Sequence, residues 1–446
     1  MASTYLTRTP TSNGSSTTWT YSVWVKRSAD LGAYQRILSN GNQEGSGSQD
    51  TGIYFLTDDT IRFDVYFGDV GNVGKLDTNR KFRDTNGWYH LVFVWNTSSS
   101  TSSDRMKIYV NGVRETSFAS ATYPSQNASD PNTNTTSYPM RIGTRATNQY
   151  FNGLLSHAHF IDGTAYDASA FGETDANGVW TINTSPSVTY GTNGFFILKD
   201  GNSVTDQSGN SNNFTVAGGT LTDTLDCPDN VFATLNALDN YYQADTLSNG
   251  NLTMVGGGVY APRTATFGLT SGKWYWEIQV NNWESSDGSS IGISSQLATA
   301  SNYEYYNQSG DNVGYGYFSN GSGYGNAGTI FTGYGTGSGT HIIGIALDLD
   351  NNKIAWSYDG TWQGSADPSN GTNMISITAP SSLATGTYFP AFSQKDNSRV
   401  FNVNFGNGYF GTTAVASAGT NASGIGIFEY DVPTGYTALS TKGLNL

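Results

Sequence analysis

The stretch His341–Trp362, HIIGIALDLDNNKIAWSYDGTW, alternates large apolar with small or polar residues on either side of an Asn-Asn pair. A period of two is the mark of a β-strand. Asn tolerates the positive φ that a tight hairpin turn requires. The stretch therefore predicts a β-hairpin with Asn351-Asn352 as a two-residue turn. That register pairs Asp350 with Lys353, Leu349 with Ile354, Leu347 with Trp356, and Ile345 with Tyr358. The large apolar residues then share one face, and Gly344, Ala346, Asp348, Ala355 and Ser357 share the other.

Working outward, the C-terminal half supplies more strands at the spacing of a sandwich. They are Leu247–Val259, GKWYWEIQVNNW (272–283), SSIGISS, NVGYGYFS, YFPAFS (388–393) and RVFNVNFG (399–406). In the second of these Trp274, Trp276, Ile278 and Val280 fall on one face. The N-terminal half reads the same way. TWTYSVWVKR (18–27), TGIYFLTDDTIRFDVYF (51–67, two strands around Asp58-Asp59), WYHLVFVWN (88–96), MKIYVNGVRE (106–115), MRIGT (140–144) and FNGLLSHAHFID (151–162) are predicted strands. Asn111-Gly112 is a strong hairpin signal. Asp167 is placed to cap one helical turn at 167–171. A polar loop runs over 119–138.

Composition agrees with an all-β chain. Charged residues are 13% of the 446, about half the usual share of roughly 25%. Aromatics reach 13%, which supplies apolar area and excludes a disordered chain. The net charge of −14, with no run of Lys or Arg, argues against nucleic acid and anionic membrane surfaces as partners. It suits a solvated exterior or a neutral polar ligand such as a glycan. Cys227 is the single cysteine, so no intrachain disulfide can form and the thiol reads as a packing residue. MASTYLTRTP has neither the basic start nor the apolar run of a signal peptide, and no segment reaches the roughly 18 apolar residues of a membrane span. The expectation is a soluble chain made in a cytoplasm.

The order TWTYSVWVKR, GWYHLVFVWN, KIYVNGVR, YFNGLLSHAHFIDG resembles the laminin-G-like, concanavalin A-like jelly-roll group over about residues 1–195. The resemblance implies a two-sheet antiparallel sandwich that binds carbohydrate or protein, with some glycanase relatives. Residues 196–245 read as a connecting segment, either a joint or an edge strand of the first sandwich. Trp274-Tyr275-Trp276-Glu277, Gly292, Gly314-Tyr315, Gly344-Ile345-Ala346-Leu347-Asp348 and Asn404-Phe405-Gly406 resemble the SPRY (B30.2) domain over residues 246–446. Gly339-Thr340-His341 departs from the Gly-Asp usual in that family. The two modules in this order resemble structural proteins of marine bacteriophages. That resemblance implies a non-enzymatic virion-surface protein, a capsid decoration or a tail-associated adhesin, with a glycan-cleaving enzyme of the laminarinase-like class and a SPRY-type peptide-binding adaptor as the alternative readings. Its partners would be other capsid or tail proteins, with host-surface polysaccharide as a further candidate ligand and several copies on a particle.

Chemistry is hard to find. The laminarinase-like relatives use Glu-X-Asp-X-Glu on one strand. Glu173-Thr174-Asp175 and Glu429-Tyr430-Asp431 each lack the third carboxylate. His90, His157, His159 and His341 complete no metal set or triad, although His157 and His159 would share a strand face. Asp348–Asn352 lacks the Gly and Glu of an EF-hand loop. No cofactor is required. Calcium is the one that the resemblance admits, with Asp58, Asp59, Asp200 and Asp206 as candidate ligands, against the alternative of turn-forming Asp. For recognition, the Tyr/Gly/Ser/Asn stretch 303–334 has the chemistry of a paratope. Tyr305, Tyr306, Tyr324 and Tyr334 are the candidates there, while Tyr315 and Phe318 are expected to fill the sandwich. Tyr123 and Tyr138 are their counterparts in the 119–138 loop.

Overall fold

The computed structural model describes residues 3–445 apart from 29–30, 43–47, 69, 200, 202, 240–244, 259, 285–287, 298–312, 326–327, 395 and 397. The chain is all-β and divides into two compact units, Met1–Asp223 and Thr224–Leu446.

In the first unit two antiparallel sheets enclose a core. The larger has the strand order Phe118–Thr122, Gly71–Thr78, Ile61–Phe67, Gln49–Phe55, Gln35–Asn40, Met140–Ile142, Tyr5–Arg8, Thr215–Ala217. The smaller runs Phe195–Ile197, Gly153–Asp162, Thr18–Arg27, Tyr89–Asn96, Met106–Val110, Val113–Arg114. Alternation decides which side chains meet. Trp19, Tyr21, Val23 and Val25 from one sheet close on Ile53, Phe55, Ile61, Phe63 and Val65 from the other, all fully buried. Each such side chain contributes roughly 1.5–3 kcal/mol. Asn111 and Gly112 take φ of 46° and 80°, as the hairpin turn between the 106–110 and 113–114 strands demands.

The segment 196–245 is not a free connector. Phe195–Ile197 and Thr215–Ala217 are edge strands of the first sandwich, and the chain passes to the second unit between 223 and 224. The 119–138 loop is also more ordered than its composition suggests. It begins inside the edge strand Phe118–Thr122. It then turns inward at Asp130, whose buried carboxylate accepts from Trp19 Nε1 (3.2 Å), Thr51 Oγ1 (2.7 Å) and the backbone N–H groups of Asn132 and Thr133.

The second unit repeats the two-layer principle. One sheet follows Thr246–Ser248, Thr253–Val255, Val400–Asn404, Lys273–Trp283, Gly337–Asp348, Lys353–Tyr358, Thr361–Trp362. The other follows Ala261–Thr264, Phe389–Gln394, Ser290–Ser294, Gly314–Phe318, Gly323–Gly325, Gly328–Phe331. Between them lie Trp276, Ile278, Val280, Ile345, Trp356, Ile291, Tyr317 and Phe392, all 1% exposed or less.

The anchoring hairpin forms with a different register from the one its sequence predicts. Asp348 pairs with Lys353, Leu347 with Ile354, Ile345 with Trp356, and Ile343 with Tyr358. The connection is therefore four residues, 349–352. Two contacts explain the shift. The Asp348 carboxylate caps the loop by accepting from the N–H and Nδ2 of Asn351 (3.0 and 2.8 Å), and Asp350 turns away to accept from Gly272 N–H (2.8 Å). Only Asn352 has a positive φ, 54°, so the two-residue turn that needs two of them does not form. The displacement is by a whole period of two, so every side chain keeps its predicted face.

A candidate binding face on the first sandwich

The inward residues of the larger sheet build the core, so the alternate residues must point the other way. On the strands Gln35–Asn40, Gln49–Phe55, Ile61–Phe67 and Gly71–Thr78 these are Arg36, Asp50, Gly52, Tyr54, Arg62, Asp64, Tyr66, Lys75 and Asp77. They interlock. Arg36 Nη2 meets Asp50 Oδ2 at 2.8 Å, its Nε donates to Gln149 Oε1 at 2.9 Å, and its guanidinium lies 3.7 Å over the Tyr54 ring. Arg145 makes a second contact to Asp50 Oδ2 at 3.2 Å. Arg62 grips Asp77 with two hydrogen bonds of 2.6 and 2.8 Å. Tyr54 donates to Asp64 Oδ2 at 3.1 Å. Gly52 leaves room for the Arg36 guanidinium at the centre, since a Cβ there would displace Arg36 Nη1 and come within 2.9 Å of the Tyr54 ring.

Two polar atoms of this network are buried with no hydrogen-bond partner, Arg36 Nη1 and Asp64 Oδ1. Burial, reinforced by the charge of Asp50, pushes the Asp64 carboxyl up to about 7 against the pull of Arg36 and Arg62. Asp77 holds the Arg62 guanidinium above its usual range. Tyr34, 45% exposed, stands 6.3 Å from the Tyr54 ring at the margin of the face. Aromatic rings beside paired charges suit a neutral ligand rich in hydroxyl groups.

None of these residues was singled out from the sequence, although IRFDVYF (61–67) carries the signal. Its Arg, Asp and Tyr alternate with core residues, and polar side chains on the outer face of a strand are half-buried only when something organises them.

The candidates named from the sequence are distributed otherwise. Asp58 accepts from Thr60 N–H and Oγ1 in a local turn, and these bonds hold its carboxyl below the usual range. Asp59 is buried between Arg27 (3.1 Å) and Arg83 (3.0 Å) and also accepts from Gly32 N–H. Asp206 accepts from the N–H groups of Phe196, Ser208 and Asn212 and from Ser208 Oγ. These three carboxylates are committed to the fold, and the described residues hold no cluster of metal-ligating side chains. Asp200 lies outside the described residues. Removal of calcium with a chelator is expected to leave the melting temperature of the full chain within about 1 °C. A drop of several degrees, reversed by added calcium, would show that the chain binds calcium.

Tyr305 and Tyr306 lie outside the described residues. Tyr324 stands edge-on to Phe318 at 5.0 Å. Tyr334 is half-buried, stacked on Phe331 at 3.7 Å and set against Tyr317 at 5.7 Å, so it extends the aromatic core outward. Tyr123 packs partly against the first core, and Tyr138 is half-buried.

Of the carboxylates considered for catalysis, Asp175, Glu429 and Asp431 accept hydrogen bonds from turns. Asp175 accepts from the N–H groups of Asn177 and Val179. Glu429 accepts from Ala416 N–H, and Asp431 from Thr420 N–H and Oγ1. His90 lies 2.8 Å from Ser22 Oγ through Nε2, but its Nδ1 receives the Trp180 indole N–H at 3.0 Å. Indole N–H only donates, so the His90 proton sits on Nε2 and points at Ser22. His90 cannot take a proton from that serine. In the second unit a cavity of about 560 Å³ opens beside Lys273, Ser423 and Thr437.

Residues 2–170 match the family model described as the concanavalin A-like lectin/glucanases superfamily. No curated protein matches the chain. Among solved structures it is similar to mouse laminin α1 domains LG4-5 (11% identity, 90% of this chain and 86% of that one, TM-score 0.29). It is also similar to the SPRY domain of human HERC1 (15% identity, 38% and 96%, TM-score 0.28). A third is the native heptameric SAP-like pentraxin of Limulus polyphemus (16% identity, 36% and 70%, TM-score 0.25). The N-terminal part of this all-β molecule is thus similar to the concanavalin A-like lectin/glucanases superfamily over residues 2–170.

Proposed function

We propose that this chain is a non-catalytic binding protein of a virion surface. In this reading it holds neighbouring capsid or tail subunits and takes a host-surface glycan on the outer face of the larger sheet of the first sandwich. The observation that carries the binding reading is the network around Gly52. Two of its three carboxylates are neutralised by arginines, Asp50 by two and Asp77 by one, which suits recognition of hydroxyl groups better than nucleophilic attack. The order of the two modules supports the virion setting.

Titration of the full chain with host-surface polysaccharide is expected to show binding that Tyr34→Ala and Tyr66→Ala each weaken roughly tenfold, the value of an aromatic contact, with unchanged melting. Binding indifferent to both substitutions would move the site elsewhere. An antibody against the chain should label intact purified virions, and unlabelled virions would remove the virion setting. One observation favours an enzymatic reading. Asp64, raised by burial to about 7, would carry a proton at neutral pH as a general acid does. New reducing ends from the polysaccharide, abolished in Asp64→Asn, would replace the binding reading with that one.

A further inference from the structure

The outer face of the smaller sheet is closed by a cap. Residues 163–193 cross it, carrying the short helix Ala168–Ala170, capped by Asp167, and the hairpin of Gly172–Thr174 with Trp180–Ile182. Val92, Val94 and Ile161 of the sheet meet Ala168 and Phe171 of the cap in a second small core, separate from that between the sheets. Three of the four histidines of the chain are buried under or beside this cap. His90 lies between Trp24 (ring centroids 4.8 Å apart) and Trp180 (5.9 Å), both stacked on it. His159 stacks on Phe196 at 3.9 Å and meets Tyr190 Oη through Nδ1 at 2.9 Å. His157 sits in the bulge of the same strand, with Nδ1 2.7 Å from Ser156 Oγ.

Trp180 and Tyr190 belong to the cap, while the histidines belong to the sheet. The cap is therefore held at two points by hydrogen bonds to imidazole nitrogens. At the first point the chemistry has one solution. Trp180 Nε1 can only donate, so His90 Nδ1 must keep its lone pair. A proton on that nitrogen would set N–H against N–H and cancel the bond.

We propose that the 163–193 cap is an acid-released flap, opened when the histidines beneath it take up protons and uncovering Trp24 and the aromatic face around it. The surroundings favour this outcome. The electrostatic neighbours of His90 and His159 are other histidines, His157 above all, and Lys199, and each opposes a positive charge. Lys26 lies farther along the same face of the strand that carries Trp24. Tyr190 is the titratable group that the cap presents to His159, and Asp206 acts on Tyr190. Asp167 acts on Tyr109 and Lys107. Burial holds His90 down to about 3 and His159 well below its usual range while the cap is closed. Opening returns both to water and to ordinary basicity, so protons bind the open form more strongly and acid drives the flap outward. Two buried acids of this unit act in the opposite sense, while Asp59, held below its usual range by Gly32 N–H, Arg83 and Arg27, acts in the same sense as the histidines. Burial raises Asp64 and Asp130, which lie in the other sheet and the loop against it, so acid does not loosen that layer through them.

Peptide-level hydrogen exchange of the full chain, corrected for the intrinsic pH dependence, tests the flap. Between pH 7 and pH 5 residues 172–192 are expected to exchange at least tenfold faster, while Thr18–Arg27 and Ile61–Phe67 stay protected. His90→Gln keeps an acceptor for Trp180 and a donor for Ser22 but cannot titrate, so it should blunt the response. Equal corrected rates at the two pH values, or a His90→Gln response matching the wild type, would overturn the proposal. If His90→Gln does not fold, nitrogen NMR of the wild-type histidines decides. A His90 held in the Nε2–H form at pH 7 that gains a proton only as the cap peptides open supports the flap, and one that titrates near 6.5 with the cap closed sinks it.

Discussion

Replacing Trp356 by Ala should lower the stability of the second sandwich by about 3–5 kcal/mol, the usual cost of deleting a buried Trp side chain. In a unit of this size that is a fall in melting temperature on the order of 10 °C. Trp356 is 1% exposed. Its ring lies 5.5 Å from Phe331 and 6.5 Å from Tyr317, and its indole N–H reaches Ile291 O across the sandwich at 3.2 Å. Truncation leaves a cavity and removes the indole hydrogen bond to Ile291 O. Tyr324→Ala, at a partly exposed ring, should leave the melting temperature nearly unchanged. A Trp356→Ala protein that melts like the wild type would mean that the hairpin does not face the core.

The second large effect is a pH dependence of the same unit, and its sign runs against common acid denaturation. Glu277 is fully buried on the outer face of the strand Lys273–Trp283. It accepts from Tyr275 Oη and from the N–H groups of Glu429 and Tyr430, which pin the C-terminal segment over the sheet. Burial outweighs these bonds and raises its carboxyl from 4.5 to about 7. A raised folded-state value gives stability that is full below the unfolded value and is lost as pH climbs through the folded one. Between pH 4.5 and 7 the loss approaches about 3 kcal/mol, at roughly 1.4 kcal/mol per pH unit. Melting of the full chain should therefore show the second-unit transition, identified as the one that Trp356→Ala lowers, moving down between pH 5 and pH 8. Glu277→Gln should flatten it. A transition that rises over that range would show that the three donors, not burial, govern this carboxyl.

Much of the architecture was legible in the sequence because it follows from a period of two. Strands 18–27, 89–96, 106–110, 153–162 and 273–283 announce themselves through runs whose alternate residues are large and apolar. Gln35–Asn40 and Gly71–Thr78 do not, since GNVGKLDT has little apolar content and is a strand because its neighbours pair with it. The Asn111-Gly112 turn was readable because two adjacent positive φ values leave few residue choices. The loop at Asp348–Lys353 was misjudged by two residues because its geometry depends on Gly272, almost eighty positions away.

The candidate sites divide along the same line. His157 and His159 could be placed on a strand from sequence, but His90 joins them only because three strands lie side by side and a cap crosses them. Asp59 looked like a calcium ligand because its partners, Arg27 and Arg83, are distant in the chain. The network around Gly52 draws on strands and loops from Arg36 to Gln149.

What the sequence determined alone was the fold class, most strand positions and the face each side chain takes. These depend on local periodicity, and a whole-period slip leaves them intact. The tertiary structure decided the hairpin register, the passage between the units at 223–224, the commitment of Asp58, Asp59 and Asp206 to structural bonds, and the assembly of Arg36, Asp64 and Tyr54 on one face. The reason is physical. A polar side chain is a ligand, a cap or half of an ion pair according to which donors lie within about 3 Å of it, and in a β-sandwich those donors come from strands far apart in the chain.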